Sequence, residues 1–506
     1  MQARLLTALL LGCLVLAALA LRLYRLQTEP VWYDEAATLG IASMDWRTIF
    51  GDIARLESSP PGFYGLSKIW LLLFGDDIGG MRLLPALCGA LSIVPVWLIA
   101  RAHISERAAW LAAGLLAMAA SQVRFSQDLR TYTVLFLCYC AALLVAARLT
   151  EESPMDRPAW GAILGLGALQ GAMLWLHSTA PLLIMTLNVF MLVAAFMRWQ
   201  ALRHAVLVVA FVDVVTVALG SVPLVHAINH IVEPQFVDRW IDAPDLREAA
   251  TLYGRTLVAP YLNAWSPVAA AMFGAMAVAA VVAAVRRQNA IVLGLAAMLV
   301  TGVILLPAIS RFVPVMLDRT ILFLLAPLLL LVAAGAASLS RPAFLGCSAV
   351  LLLLQGFGFV HYQTIDVRRE QWPAAAAVLH GRVGPLAPVI ATEGVFQAIA
   401  LELPLRAAGD NPRIIVIPPE ADLEQFAAGK LAASRVSNPA NICAMIAGSE
   451  RVWLVARTMP QGVVNDPEYS ARPAVRDALL AAGSHLLEST IVPGIEVEEW
   501  SSPRCR

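Results

Sequence analysis

The sequence predicts an α-helical polytopic membrane protein of about eleven transmembrane helices with a C-terminal α/β domain. Three observations predict it. Of 506 residues, 59% are apolar and 14% charged, where soluble domains run at about 45–50% and about 25%. Apolar runs close to span length recur as far as residue 361. Beyond that point the pattern changes to short β-branched runs alternating with helical stretches. This composition excludes a water-soluble enzyme. A net charge of zero, with no basic block, excludes a polyanion-binding protein.

The expected spans fall near 5–23, 83–100, 108–123, 131–147, 159–176, 179–197, 205–226, 264–285, 290–308, 320–338 and 342–361. The first run lacks a small-residue cleavage site and is followed by Arg22 and Arg25, so it reads as an anchor. The apolar run 62–75 suits an interfacial or re-entrant helix, being too short to span. With the N-terminus inside, the short inner connections carry Arg101, Arg107, Arg148, Arg157, Arg198, Arg203, Arg286, Arg287 and Arg341, as the positive-inside rule asks. The outer segments are then 24–82, 124–130, 227–263, 309–319 and everything from about 363 onward. Two domains follow: 1–362 in the membrane, with 24–82 as its first outer loop, and 363–506 outside it.

In that outer part the runs 388–391, 414–417 and 452–455 read as buried strands, and 422–433 and 473–482 as helices. It contains neither a Gly-rich phosphate loop nor a nucleophile elbow. Cys443 and Cys505 pair if it faces an oxidising compartment, and are otherwise two unrelated thiols.

Candidate chemistry gathers on the outer side. The first loop opens with Pro30-Val31-Trp32-Tyr33-Asp34-Glu35. Two adjacent carboxylates there suit a general base or a cation site; the bland reading is a helix start with acids on its dipole. Lys68, the only lysine before Lys430, suits a lipid phosphate or simply snorkels. The second loop packs Arg124, Asp128, Arg130 and Tyr132 between two spans, where charges need pairing or a cavity. His177 closes a span, as a cap or a ligand contact. Asp318 and Arg319 precede another span, either as a mutual ion pair or with the arginine fork meeting a phosphate. Asp213, inside a span, is a structural partner.

The order of these features resembles the GT-C superfamily of membrane glycosyltransferases: a first-loop Asp34-Glu35 pair, Pro60-Pro61 with Tyr64, Ser126-Gln127-Asp128 with Arg130 and Tyr132, and a charged pair leading into a span with Pro327. The likeness is to the bacterial branch related to protein O-mannosyltransferases and lipid A aminoarabinose transferase, and covers roughly residues 20–375, including Arg368-Arg369-Glu370-Gln371-Trp372. The resemblance implies a multi-pass protein of the bacterial inner membrane with a periplasmic active site and a periplasmic C-terminal domain. There a sugar would pass from a polyprenyl phosphate to a protein, glycan or lipid acceptor, with inversion. It implies Asp34 as general base and Asp128 as the second-loop acid of the catalytic site, which helps position substrate or a divalent cation. Glu35, Lys68, Arg130, Tyr132, His177 and Arg319 would then bind substrate. The two acids have the chemistry either to hold Mg²⁺ or Mn²⁺ or to hydrogen-bond a sugar. Ser59 stands where many relatives carry histidine, which counts against a metal there. The rival reading, a transporter or lipid flippase, asks for polar mid-membrane residues or repeats, and the spans are clean.

Overall fold

The computed structural model describes residues 2–54, 57, 59–151, 159–199, 202–232, 243–258, 266–313, 315–365, 369–417, 441–458 and 470–502. They cluster into two compact units, one of 1–26, 57–66 and 79–365, the other of 27–56, 67–78 and 366–506.

In the first unit, nine helices among the described residues are long and apolar enough to cross a membrane. Glu106–Met118 and Ala120–Ser126 form a further, bent segment, and Trp160–Leu176 is an apolar helix of 17 residues. Each expected span falls on one of these. Leu325–Ala337 is buried along almost its whole length, so it is apolar on every face. It lies so close to Ser266–Arg287 that a Cβ on Gly335 would stand 1.9 Å from the Met276 carbonyl oxygen, and only glycine fits. The outer helices instead expose large apolar side chains such as Leu16, Val214, Val222 and Val278, the surface a bilayer covers.

One expected span is corrected. The run 108–123 is not one helix: it breaks by 55° at Ala119, whose ψ of 110° leaves helical space. Helix breaks at membrane depth need new partners for the freed carbonyls. The buried Arg22 guanidinium supplies them, donating to Leu116 O (3.4 Å) and Ala117 O (3.2 Å), and also to Gln122 Oε1 and Ser126 Oγ.

The second unit contains a sheet of β1 (Val389–Ala391), β2 (Ile414–Val416), β3 (Arg451–Arg457), β4 (Leu486–Val492) and β5 (Ile495–Ser501), in the order β2-β1-β3-β5-β4. The pairings of β1 with β2 and β3 are parallel; those of β5 with β3 and β4 are antiparallel. The β-branched runs expected as strands are β1, β2 and the centre of β3, buried on both faces as parallel strands require. β4 is the exposed edge. One face packs Trp372, Leu401, Trp453 and Val497; the other packs Ile390, Ile415, Leu454, Val475 and Leu479. Helix Arg472–Ala481 covers the second face, as expected for 473–482, whereas 422–433 lies outside the described residues. Cys443 is disulfide-bonded, while Cys505 lies outside the described residues.

Helix Tyr33–Ser43 of the first loop belongs to this core: Ala36 is fully buried in the cluster built on Trp372 and Trp453.

Candidate active site

The candidate residues fall into two groups, one in each unit. In the second unit the motif Trp32-Tyr33-Asp34-Glu35 starts the helix Tyr33–Ser43. Trp32 at the N-cap gives no side-chain cap, so the first amide donors need partners from elsewhere. Glu370 Oε2 accepts from Tyr33 N–H at 3.4 Å. The Tyr33 hydroxyl donates to Glu393 O at 3.1 Å, and its ring meets Phe396 edge-on. Glu35 is fully buried and pairs with Arg369 at 3.2 Å, and the Arg369 guanidinium also lies over the Trp32 ring. Asp34 sits between them, half-buried, with its carbonyl accepting from Thr38 Oγ1. The helix start and the candidate acid thus coincide: the neighbours of Asp34 fix the turn that carries it.

Lys68 lies on the short helix Gly62–Phe74, which has the 13-residue length expected of a non-spanning segment. Its ammonium donates to Ala42 O at 3.3 Å and to Met44 O, and it stands over the Trp46 ring. These are the carbonyls at the C-terminal end of Tyr33–Ser43, where a cation complements the dipole. Lys68 and Asp34 therefore sit at opposite ends of one helix.

In the first unit the structure brings Tyr132, His177 and Arg319 together around one pocket, completed by Thr179, Thr320 and the apolar Leu135, Phe136, Leu183, Leu322 and Phe323. Its free volume of about 10 Å³ holds roughly one water. His177 caps the helix Trp160–Leu176, and its Nδ1 accepts from the Thr179 N–H (3.1 Å) and contacts Thr179 Oγ1 (2.9 Å). An accepting Nδ1 leaves the proton on Nε2. Burial, then the charges of Arg319 and Arg130, push His177 down to about 3, so the imidazole is neutral at physiological pH. The Asp318 carboxylate takes Arg124 at 2.7 Å and accepts the Arg319 amide at 2.9 Å, and the Arg319 side chain lines the pocket. Asp128 is buried in the turn before Tyr132–Leu149, with its carbonyl accepting from Arg130 N–H. Asp213 accepts two bonds from Asn188, as a structural partner would.

Sequence reasoning named Gln127 within a motif and Arg22 as a flank, and gave neither the role it has in the structure. The Gln127 side chain donates to Arg22 O and Tyr24 O and accepts from the Tyr362 hydroxyl, which anchors the turn next to Asp128. An arginine near the end of an apolar run was the available signal, and it reads equally well as a flank. Among the described residues no three His, Cys, Asp or Glu side chains gather closely enough to hold a metal ion.

The sequence family described as dolichyl-phosphate-mannose-protein mannosyltransferase matches residues 58–220. No curated protein matches the sequence. Among solved structures, ArnT from Cupriavidus metallidurans in the apo state superposes with a TM-score of 0.63 at 15% identity, over 99% of this chain and 98% of that one. The same protein bound to undecaprenyl phosphate gives 0.59 at 15% identity, over 96% and 97%. The oligosaccharyltransferase AglB from Archaeoglobus fulgidus, in complex with an inhibitory peptide and a dolichol-phosphate, gives 0.53 at 12% identity, over 96% of this chain and 73% of that one. The fold is the one shared by ArnT and AglB.

Proposed function

We propose that this chain transfers a sugar from a polyprenyl-phosphate donor to an acceptor hydroxyl or amine on the extracytoplasmic side of the membrane, with inversion at the anomeric carbon. The observation that carries this reading is the pocket of the first unit. There the Arg319 guanidinium, a neutral His177 and Tyr132 meet a wall of Leu135, Phe136, Leu183, Leu322 and Phe323. A cationic and hydrogen-bonding end of one-water size beside an apolar wall suits a single oxygen of a phosphate at the head of a hydrocarbon chain. That ArnT and AglB have been solved with undecaprenyl phosphate and a dolichol-phosphate supports it.

Phosphate is a weakly basic leaving group, so its departure needs neutralised charge more than a proton. Arg319 supplies a cation at the pocket; Lys68, held by Ala42 O and Met44 O at the far end of the Tyr33–Ser43 helix, serves donor binding rather than the reacting phosphate. The acceptor does need a base. Asp34 takes its proton, the acceptor heteroatom forms a bond to the anomeric carbon, and the bond to the phosphate oxygen breaks with its electron pair leaving on the polyprenyl phosphate. One displacement inverts the centre once. Asp128, Arg130 and Glu35 serve substrate positioning. The disulfide at Cys443 supports an oxidising compartment for the second unit, hence a periplasmic one.

The test is turnover of the purified protein with a panel of labelled polyprenyl-phosphate sugars, wild type against Asp34→Asn. Transfer by the wild type, and a loss of about 10³-fold or more in the variant, is the expected result for removal of a general base. Equal turnover would remove Asp34 from the mechanism; turnover by neither with any donor would remove the donor class.

A further inference from the structure

The carboxylate proposed as the base is fixed by residues more than 300 positions away in sequence. Glu370 lies just before the helix Trp372–Leu379, with Gln371 N–H bonded to Pro493 O in the turn between β4 and β5. Gly494 in that turn has φ +80°, and a Cβ there would stand 3.0 Å from Glu370 Cα. The turn is thus shaped to receive the Glu370 backbone. From this seat the two carboxylate oxygens divide their work. Oε1 takes Arg457, from Nε at 2.9 Å and Nη2 at 2.7 Å, and Oε2 takes the Tyr33 amide.

Arg457 ends β3, and its guanidinium also lies over the Tyr33 ring at 4.6 Å. Its own amide donates to Glu393 Oε1 at 2.9 Å, while the carbonyl of Glu393 accepts the Tyr33 hydroxyl. Tyr33 is therefore held at its amide, ring face and hydroxyl by three residues of the C-terminal segment, and Asp34 is the next residue along a helix turn.

We propose that Glu370 and Arg457 are positioning residues for Asp34: the carboxylate caps the turn that carries the base, and the guanidinium locks both that carboxylate and the Tyr33 ring. This gives the C-terminal segment a part in the chemistry without a reacting group of its own. It rests on the reading of Asp34 as the base given above. A cap supplied by a distant carboxylate replaces the absent local one and places negative charge at the positive end of the helix. Loss of either residue frees the first turn, and misplacement of a base by about 1 Å costs up to about 10²-fold in rate.

The experiment uses the full chain in nanodiscs as wild type, Glu370→Ala, Glu370→Gln and Arg457→Met. Hydrogen exchange of residues 33–38 and steady-state kinetics are measured on each. Expected for Glu370→Ala and Arg457→Met are amide exchange in 33–38 faster by about 10-fold or more and a kcat lower by about 10- to 100-fold, with the KM for the lipid donor within about 2-fold. Glu370→Gln, whose amide oxygen still accepts from Tyr33, recovers most of the lost kcat. Should Arg457→Met fail to fold, Arg457→Lys, which keeps the charge and loses the planar fork, is read in the same way. Unchanged exchange in 33–38 overturns the proposal whatever the activity, as does unchanged kcat beside an active wild type. Faster exchange in the variants of a wild type that turns over no donor upholds the positioning and sinks the transferase reading instead.

Discussion

Arg22, buried in the first unit, and Arg457, partly buried in the second, are guanidiniums satisfied in opposite ways. Arg22, near the end of the first membrane helix, is held by neutral acceptors: the carbonyls of Ala18, Leu116 and Ala117, Gln122 Oε1 and Ser126 Oγ. Arg457, in the α/β unit, is held by carboxylates, Glu370 and Glu393. Where the surroundings are apolar, a bent helix releases carbonyls, and a five-donor fork collects them. Where chain ends and loops are plentiful, acids are brought in instead, at a desolvation cost that the ion pair must offset. The same side chain thus marks a backbone break in one unit and a charge cluster in the other.

The contrast is broken first at the acids. Arg369→Met takes the guanidinium from Glu35, a fully buried carboxylate. A loss of about 3–5 kcal/mol, read as a fall in the unfolding midpoint of the second unit, is expected for half of a buried pair. A change under about 1 kcal/mol would show that Glu35 is held by its other neighbours. At the neutral acceptors, Arg22→Met leaves the Leu116 and Ala117 carbonyls to find new partners, at about 1–3 kcal/mol each. Arg22→Lys recovers only part of this, because an ammonium cannot span the same carbonyls; thermal unfolding in detergent ranks the three proteins.

A pH series sharpens the comparison further. Burial raises Glu393 to about 7 against the pull of Arg457, with Glu370 adding to the rise and Arg472 opposing it. Glu393 Oε1 accepts the Arg457 amide, whereas Oε2 accepts no hydrogen bond among the described residues. The folded chain therefore keeps a proton that the unfolded chain releases near pH 4.3. Stability from this group is complete below that value and is lost as pH rises through about 7. The expected fall is on the order of 3 kcal/mol between pH 5 and 8, measured as denaturation midpoints, and Glu393→Gln flattens it. The smallest effect is at the surface: Arg406→Ala removes an exposed i,i+4 partner of Glu402 and should move stability by no more than about 0.5 kcal/mol.

How far the sequence announces this structure follows from the range of each interaction. Spans are legible because burial in lipid asks only for local apolarity, and the three buried strands because Val389-Ile390, Ile414-Ile415-Val416 and Val452–Val455 are local too. The break at Ala119 is silent: Ala117-Met118-Ala119-Ala120 holds neither proline nor glycine, and the partner of its freed carbonyls is an arginine about a hundred positions earlier. The candidate residues Asp34, Lys68, Asp128, Tyr132, His177 and Arg319 are visible as polar groups in unlikely places. Their partners are not. That Arg319 lines a pocket while Asp318 turns to Arg124, or that a plain alanine, Ala36, sits in the core around Trp372 and Trp453, leaves no mark within a window of neighbours.

The carbonyl cage of Arg22 also sets a clock on biosynthesis. Its acceptors at Leu116, Ala117, Gln122 and Ser126 do not exist when the first helix leaves the ribosome. At about 5–20 residues per second, the roughly 100 intervening residues take on the order of 5–20 s to arrive. For that interval the guanidinium has to reach for the lipid headgroups. The first helix therefore enters the bilayer provisionally and takes its final depth only when the bent segment arrives beside it.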